Sequence, residues 1–184
     1  RTGRLEPRSL KLVKTQTLDL SCLLEPIPAA AGRAWLIHDA KAHDNGPILE
    51  DQLLADVELM AAIDGHGHIA RNLAIVNTDR SVCARISGEI AERHGNKGFR
   101  GQLDLTFEGA AGQSFAAFLL QGVNVRLVGE ANDYVGKGMN GGRITLVPAS
   151  SADQSGSQVI LGNTCLYGAT GGELFALGRA GERF

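Results

Sequence analysis

No apolar run in the sequence approaches the roughly 20 residues that a membrane-spanning helix needs, so no helical membrane span is expected. Charge of one sign is also missing. Lys and Arg number 18 against 20 Asp and Glu, a formal charge of −2 that gives no electrostatic case for nucleic acid or an anionic membrane. Cys22, Cys83 and Cys165 are odd in number, far apart and outside any C-x-x-C. That argues against a disulfide framework and against a zinc or iron–sulfur site carried by this chain alone, and for free thiols in a reducing cytoplasm. Aromatics are only 5% of residues. The opening Arg1-Thr-Gly-Arg4 lacks the apolar segment of a secretory leader. The chain begins without Met and stops just after an aromatic position, so a piece of a longer polypeptide is expected.

What the sequence does have is glycine in a pattern. Of 24 glycines, 16 lie from Gly101 onward, which places a soft boundary between segments 1–98 and 99–184. Gly101 to Gly109 is a short alternating strand closed by glycine; Gly122 to Gly129 and Gly172 to Gly178 repeat it, and Gly142 opens a further copy closed by Gly162. Leu103, Leu105 and Phe107 fall in register with Val123, Val125 and Leu127, and with Leu174 and Ala176. An aromatic follows each closing glycine: Phe115, Tyr134, Tyr167 and Phe184. The closing glycines step by 20 and then by 33, so one insertion of 13 residues is placed within Ala149–Gln158. Self-similarity near 20 residues with period-2 strands and glycine corners predicts a mainly β fold, a parallel β-helix. In that reading glycine supplies φ > 0 at the corners and stacking closes a continuous apolar column.

Residues 1–48 read as irregular, since Pro7, Pro26, Pro28 and Pro47 interrupt regular elements and Trp35 is the one large anchor. Asp51–Ile63 reads as a helix with Leu53, Leu54, Val57, Met60 and Ala61 on one face and Gly65 beyond its end. Ile69–Val76 reads as a strand. A second helix is expected over Ser81–His94, capped by Asn77-Thr-Asp79, with Val82, Ile86 and Ile90 as its apolar face and Gly95 as its stop. The N-terminal half is thus an expected α+β cap against one side or end of the repeat, where it would cover unpaired backbone.

Candidate sites are weak. Gly136-Lys-Gly-Met-Asn-Gly141 matches the dinucleotide fingerprint, yet a strand pattern follows where a helix N-terminus is required. His66-Gly-His68 has no evident third ligand, and His38 and His43 only bracket a polar turn. A glycan lyase or hydrolase needs acids stacked on successive repeats. The residues after the closing glycines are Ala110, Glu130, Asn163 and Arg179, and Asp133 aligns with Ser114, Leu166 and Arg183, so no acid ladder is expected. Cys83, Cys165 and Ser114 lack a local base, and Lys137 reads as a solvated corner charge. No catalytic, cofactor-binding or metal residue is assigned.

The segments Gly109–Phe115, Gly129–Gly142, Gly162–Gly172 and Ala180–Phe184 closely resemble the C-terminal glycine-repeat (GXGXG) domain of glutamate synthase. Val76–Arg80 and Gly95–Phe99 look like that family too, and Arg1–Leu24 with Asn45-Gly-Pro47 resembles the ferredoxin-dependent form. The resemblance implies a right-handed β-helix with a scaffolding role. It also implies a parent oxidoreductase that converts glutamine, 2-oxoglutarate and two electrons to two glutamates in nitrogen assimilation. In that parent an amidotransferase domain releases ammonia into an internal tunnel, and a synthase domain with FMN and a 3Fe-4S cluster takes electrons from ferredoxin. None of those catalytic elements maps onto this chain. The expected partners are therefore the amidotransferase and FMN domains of the same polypeptide, in the cytoplasm or the plastid stroma, with self-association of the isolated fragment. The alternatives are a stand-alone scaffold subunit, as in N-methylglutamate synthase or formylmethanofuran dehydrogenase, and a β-helix glycan lyase.

Overall fold

The computed structural model describes Ser21, residues 46–149 and residues 155–184. The readings for Cys22, Trp35, His38, His43 and the opening Arg1–Leu24 lie outside the described residues. From Gly46 onward the described residues belong to one compact unit, Asn45–Phe184.

The first helical stretch is two helices, α1 (Leu49–Ala55) and α2 (Val57–Asp64), broken at Asp56. Asp56 leaves helical geometry (φ −74°, ψ 103°) and its carboxylate accepts from the N–H groups of Glu58 (3.0 Å) and Leu59 (3.1 Å), capping α2. The break rotates the second turn. Leu59 and Ile63 are buried where the single-helix reading placed Val57, and Val57 is 80% exposed. Strand β1 (His68–Ile75) follows, then α3 (Ala84–Gly98), kinked at Gly95 (φ 67°). Val82, Ile86 and Ile90 are buried as expected. The cap is not: Asp79 accepts from Val76 N–H (2.9 Å), while the first turn of α3 is capped by Glu50 from α1.

The remaining strands are β2 (Gln102–Ala111), β3 (Val123–Ala131), β4 (Asn140–Val147), β5 (Val159–Leu161), β6 (Gly171–Ala176) and β7 (Arg179–Ala180). They form one seven-stranded sheet in the order β1-β2-β3-β4-β6, with β5 pairing β3 and β7, and the pairings are parallel. Leu103, Leu105 and Phe107 pair with Val123, Val125 and Leu127, and Leu174 and Ala176 align through Ile144 and Leu146 of β4. Those of β2, β3 and β4 point inward, as a half-buried strand requires, and share one core with Leu59, Ile63, Ile86 and Ile90 of the helices, while Leu174 packs against that core and Ala176 is exposed. Asn124 aligns with Arg143 of β4, 19 positions on, and Ala131 with Leu161 of β5, 30 positions on. The interruption is therefore 11 residues, not 13, and it lies between Val147 and Leu161.

The architecture is α/β, a mostly parallel sheet flanked by helices. The expected mainly β, right-handed parallel β-helix with an α+β cap is corrected on this point. That expectation built each repeat from several short strands joined at glycine corners. Each repeat instead gives the main path of the sheet one strand of six to ten residues. Residues 49–98 contribute three helices and an edge strand of the sheet itself.

Between strands the chain forms a ladder of left-handed residues. Ser81, Ser114, Tyr134 and Thr164 have φ of 54, 62, 65 and 54°. Their N–H groups donate forward, to Gln113 O (2.8 Å), Asp133 O (2.9 Å), Asn163 O (3.0 Å) and Arg183 O (2.8 Å). Two residues on, Cys83, Ala116, Gly136 and Leu166 are again left-handed (75, 57, 67 and 58°). From this row Ala116, Gly136 and Leu166 donate backward, to Val82 O (2.9 Å), Phe115 O (2.9 Å) and Val135 O (2.8 Å). Phe118, Gly138 and Gly168 make the third row. Most of these positions are not glycine. Each left-handed L-residue costs about 1–2 kcal/mol, which the interlayer hydrogen bonds and the buried column Val82, Phe115, Val135, Cys165 between them offset.

Candidate functional site

Among the glycines singled out from sequence, Gly109 and Gly129 pair directly and carry φ of 135 and 149°. A Cβ on Gly109 would overlap Ile75 O, and one on Gly129 would overlap Gly109 O. At this point β3 changes partner from β4 to β5. Gly162 does not continue that pair: its α-carbon stands over Asp133 N, where a Cβ would come within 2.6 Å. Gly101, Gly122, Gly142 and Gly172 lie at strand starts, each against a neighbouring backbone carbonyl, and Gly178 stands over Ile160 and Gln158 O.

The four aromatics do not form one column. Phe115 is fully buried and meets Phe107 edge-to-face (5.5 Å). Tyr134 and Phe184 belong to the Ser114–Thr164 row, and Tyr167 stands one residue before the third row. Tyr134, Tyr167 and Phe184 are exposed; the two tyrosines meet edge-to-face at 6.4 Å, and Lys137 Nζ lies 5.4 Å from the Tyr134 ring. Lys137 is thus held by a cation–π contact.

His66 and His68 point to different partners. His66 stacks on His94 (4.3 Å) and accepts from Arg100 N–H at Nδ1 (3.2 Å). His68 Nε2 meets Asp104 Oδ2 (2.6 Å). Asp104 also accepts from Gln102 Nε2 (2.8 Å) and Asn124 Nδ2 (2.8 Å). Burial pushes its pKa up, but the bonds from Asn124, His68 and Gln102 outweigh that and hold it below the ordinary value. No group of three or more His, Cys, Asp or Glu able to hold a metal ion occurs among the described residues.

Sequence reasoning missed Glu50, which is buried in the first turn of α1 and accepts from Arg85 N–H (3.0 Å) and Ile86 N–H (3.2 Å). Burial raises its pKa, against those two N–H bonds. Burial, with the Glu50 carboxylate second, pushes the Cys83 thiol well above its ordinary value. Cys165 is raised by burial and makes weak S–H contacts with Gly162 O and Asn163 O. Burial disfavours the thiolate of both cysteines, and Gly136–Gly141 leads into β4 and not into a helix.

Two clefts follow the fold. One of about 370 Å³ lies at the Gly109–Gly129 bend and brings Glu108 and Glu130 to one wall. Glu130 pairs with Ala110 and Glu108 with Val128, so the acids do not stack on successive strands. The other, about 350 Å³, lies between α3 and the third ladder row and is lined by Ser87, Gly88 and Ala91 against Phe118, Gly138 and Asn140.

The family model described as GXGXG motif matches residues 50–184, the helices and sheet together. The chain belongs to the GXGXG motif family. Over its whole length this GXGXG chain is 51% identical to the chloroplastic ferredoxin-dependent glutamate synthase of Spinacia oleracea. It is 53% identical to ferredoxin-dependent glutamate synthase 2 of Arabidopsis thaliana and of Synechocystis sp.. It spans 11% of the length of the two plant relatives and 12% of the cyanobacterial one.

Proposed function

We propose that this GXGXG domain is a structural, non-catalytic part of a ferredoxin-dependent glutamate synthase and sets the spacing of that enzyme's other domains. The parent converts glutamine, 2-oxoglutarate and two electrons to two glutamates. Its amidotransferase and synthase chemistry, with FMN and iron–sulfur groups, resides outside this chain, and ferredoxin supplies the electrons. The chloroplastic and cyanobacterial relatives support a plastid or bacterial cytoplasmic setting. End-to-end identity near 50% with proteins of that name supports the parentage. The observation that carries the structural role is the double locking of the repeat, by side chains in continuous register from β2 through β3 to β4 and by backbone N–H groups bonded to the layers on both sides. Both locks resist shear, which a spacer requires.

Purified alone, the chain is expected to bind no FMN and to turn over no glutamine. Stoichiometric flavin in the purified chain, read by absorbance, would overturn the reading. The intact mass of the natural gene product separates it from a stand-alone scaffold subunit: a product near the 19.4 kDa of this chain favours the subunit.

A further inference from the structure

The α3 cleft combines features that a solvated surface does not need. Ser87 Oγ and Asn140 Oδ1, both buried, are the two such side-chain atoms without a hydrogen-bond partner among the described residues, and both residues line this cleft. Ser87 is 2% exposed. Asn140 commits its amide nitrogen to Thr170 Oγ1 (2.7 Å), which leaves the oxygen as the orphan acceptor. A buried polar atom without a partner costs about 1–3 kcal/mol, and two beside one cleft mark a place that a partner completes.

The wall above them is shaped for close approach. Gly88 lies inside α3, where a Cβ would meet nothing within 4 Å. Glycine there costs the helix about 1 kcal/mol relative to alanine, and nothing within residues 46–149 or 155–184 needs the space. Across the cleft Phe118 is 54% exposed, held left-handed at φ 58° with its ring over Gly138. No residue lining the cleft is charged. Its occupant is therefore neutral and apolar, with at least one N–H donor.

We propose that this cleft receives a neutral segment of the same polypeptide from outside residues 1–184. Its backbone N–H donates to Asn140 Oδ1 and an apolar side chain lies between Phe118 and Ala91. This rests on the reading of the chain as one domain of a much longer enzyme. The length argues for that occupant over a second copy: the chain is 11% of its plant relatives, and a tethered segment competes at a high effective concentration.

The test places the photo-crosslinking residue benzoylphenylalanine at Phe118, which lines the cleft and whose aromatic ring it retains, in the full natural polypeptide and identifies the crosslinked peptide by mass spectrometry. A crosslink to a segment outside residues 1–184 is expected. Amide exchange at residues 84–91 should be at least tenfold slower in the full polypeptide than in this chain alone, and Gly88→Leu should abolish that protection. Gly88→Ala, whose single methyl group takes up part of that space, should weaken it by less than Gly88→Leu does. In a long polypeptide, crosslinks confined to residues 1–184, crosslinks to a second copy, or no crosslink overturn the cleft assignment and leave the domain reading standing. A gene product that ends with this chain, seen by intact mass, overturns both.

Discussion

Thr164 carries a β-branched side chain in the left-handed region, at φ 54°. That region costs an L-residue about 1–2 kcal/mol, towards the upper end for a branched Cβ. Asparagine tolerates it far better and is close to threonine in size. Thr164→Asn is therefore expected to stabilise the chain by about 1 kcal/mol, equivalent to about 2–4 °C in midpoint for a chain of this size. The control uses the same chemical change on ordinary backbone. Thr106 sits in β2, paired with Asn72 and Arg126. There asparagine is a poor strand residue, so Thr106→Asn is expected to destabilise by up to about 1 kcal/mol. Urea titrations of both variants, with unchanged slopes, read the two signs directly. Destabilisation by both substitutions, to a similar extent, would refute the left-handed ladder as the link between strands.

Glu50 has a folded pKa above its ordinary 4.5 because burial outweighs its two N–H bonds. Its contribution is complete below 4.5 and is lost as pH rises through the folded value. Wild type should therefore lose stability relative to Glu50→Gln between a pH below 4.5 and a pH well above it. Glu50→Ala, which orphans two N–H groups, should be weaker by about 1–3 kcal/mol at both pH values in urea unfolding. Asp56 titrates the other way. The Arg71 guanidinium (2.5 Å) first, and Leu59 N–H next, hold it below 3.8, so its contribution is present above that value and lost as pH falls through the lower folded one. Asp56→Ala should cost about 1 kcal/mol of capping at neutral pH, and acid titration of both proteins should show that difference shrink. Cys83 should resist a thiol reagent at about pH 8 until the chain unfolds, and rapid modification in the folded chain would contradict its burial beside Glu50. The isolated chain exposes Val159, Phe175, Leu177 and Phe184 around the last strands and should self-associate; sedimentation should show Phe175→Lys with Leu177→Lys shifting it towards monomer.

The strand register was legible because alternation and glycine spacing repeat in the sequence itself: Leu103, Leu105 and Phe107 announce their pairing with Val123, Val125 and Leu127. The segments between strands were not legible. Ser114, Ala116, Phe118, Tyr134, Thr164 and Leu166 have no preference for left-handed backbone, and the layers above and below force it through hydrogen bonds. Tertiary contacts overruled local propensity there, and the β-helix expectation failed with its glycine-corner premise. The aromatics were misaligned for another reason, since counting from Gly162 shifts the later rows against the true pairing of Ala131 with Leu161. The break at Asp56 left a local sign, an aspartate able to cap the N–H groups of Glu58 and Leu59, but the apolar spacing across it read as one helix. Of the α3 cleft only Gly88 left a trace, a glycine within an otherwise ordinary helical stretch. The orphan atoms of Ser87 and Asn140 come together only through the fold.

The two locks of the repeat act through different atoms, and a slip of one residue breaks each for a different reason. Shifting β3 against β2 would turn Val123, Val125 and Leu127 to the outer face and bring Asn124 and Arg126 in. The turns oppose the same slip through the main chain. Tyr134 N–H reaches forward to Asn163 O while Gly136 N–H reaches back to Phe115 O, so a shift in either direction pulls one donor off its acceptor. Register is therefore fixed by side chains on the strands and by main-chain bonds in the turns, and a change that loosens one leaves the other in place. Fixing of both kinds is what the proposed spacer role asks of the domain.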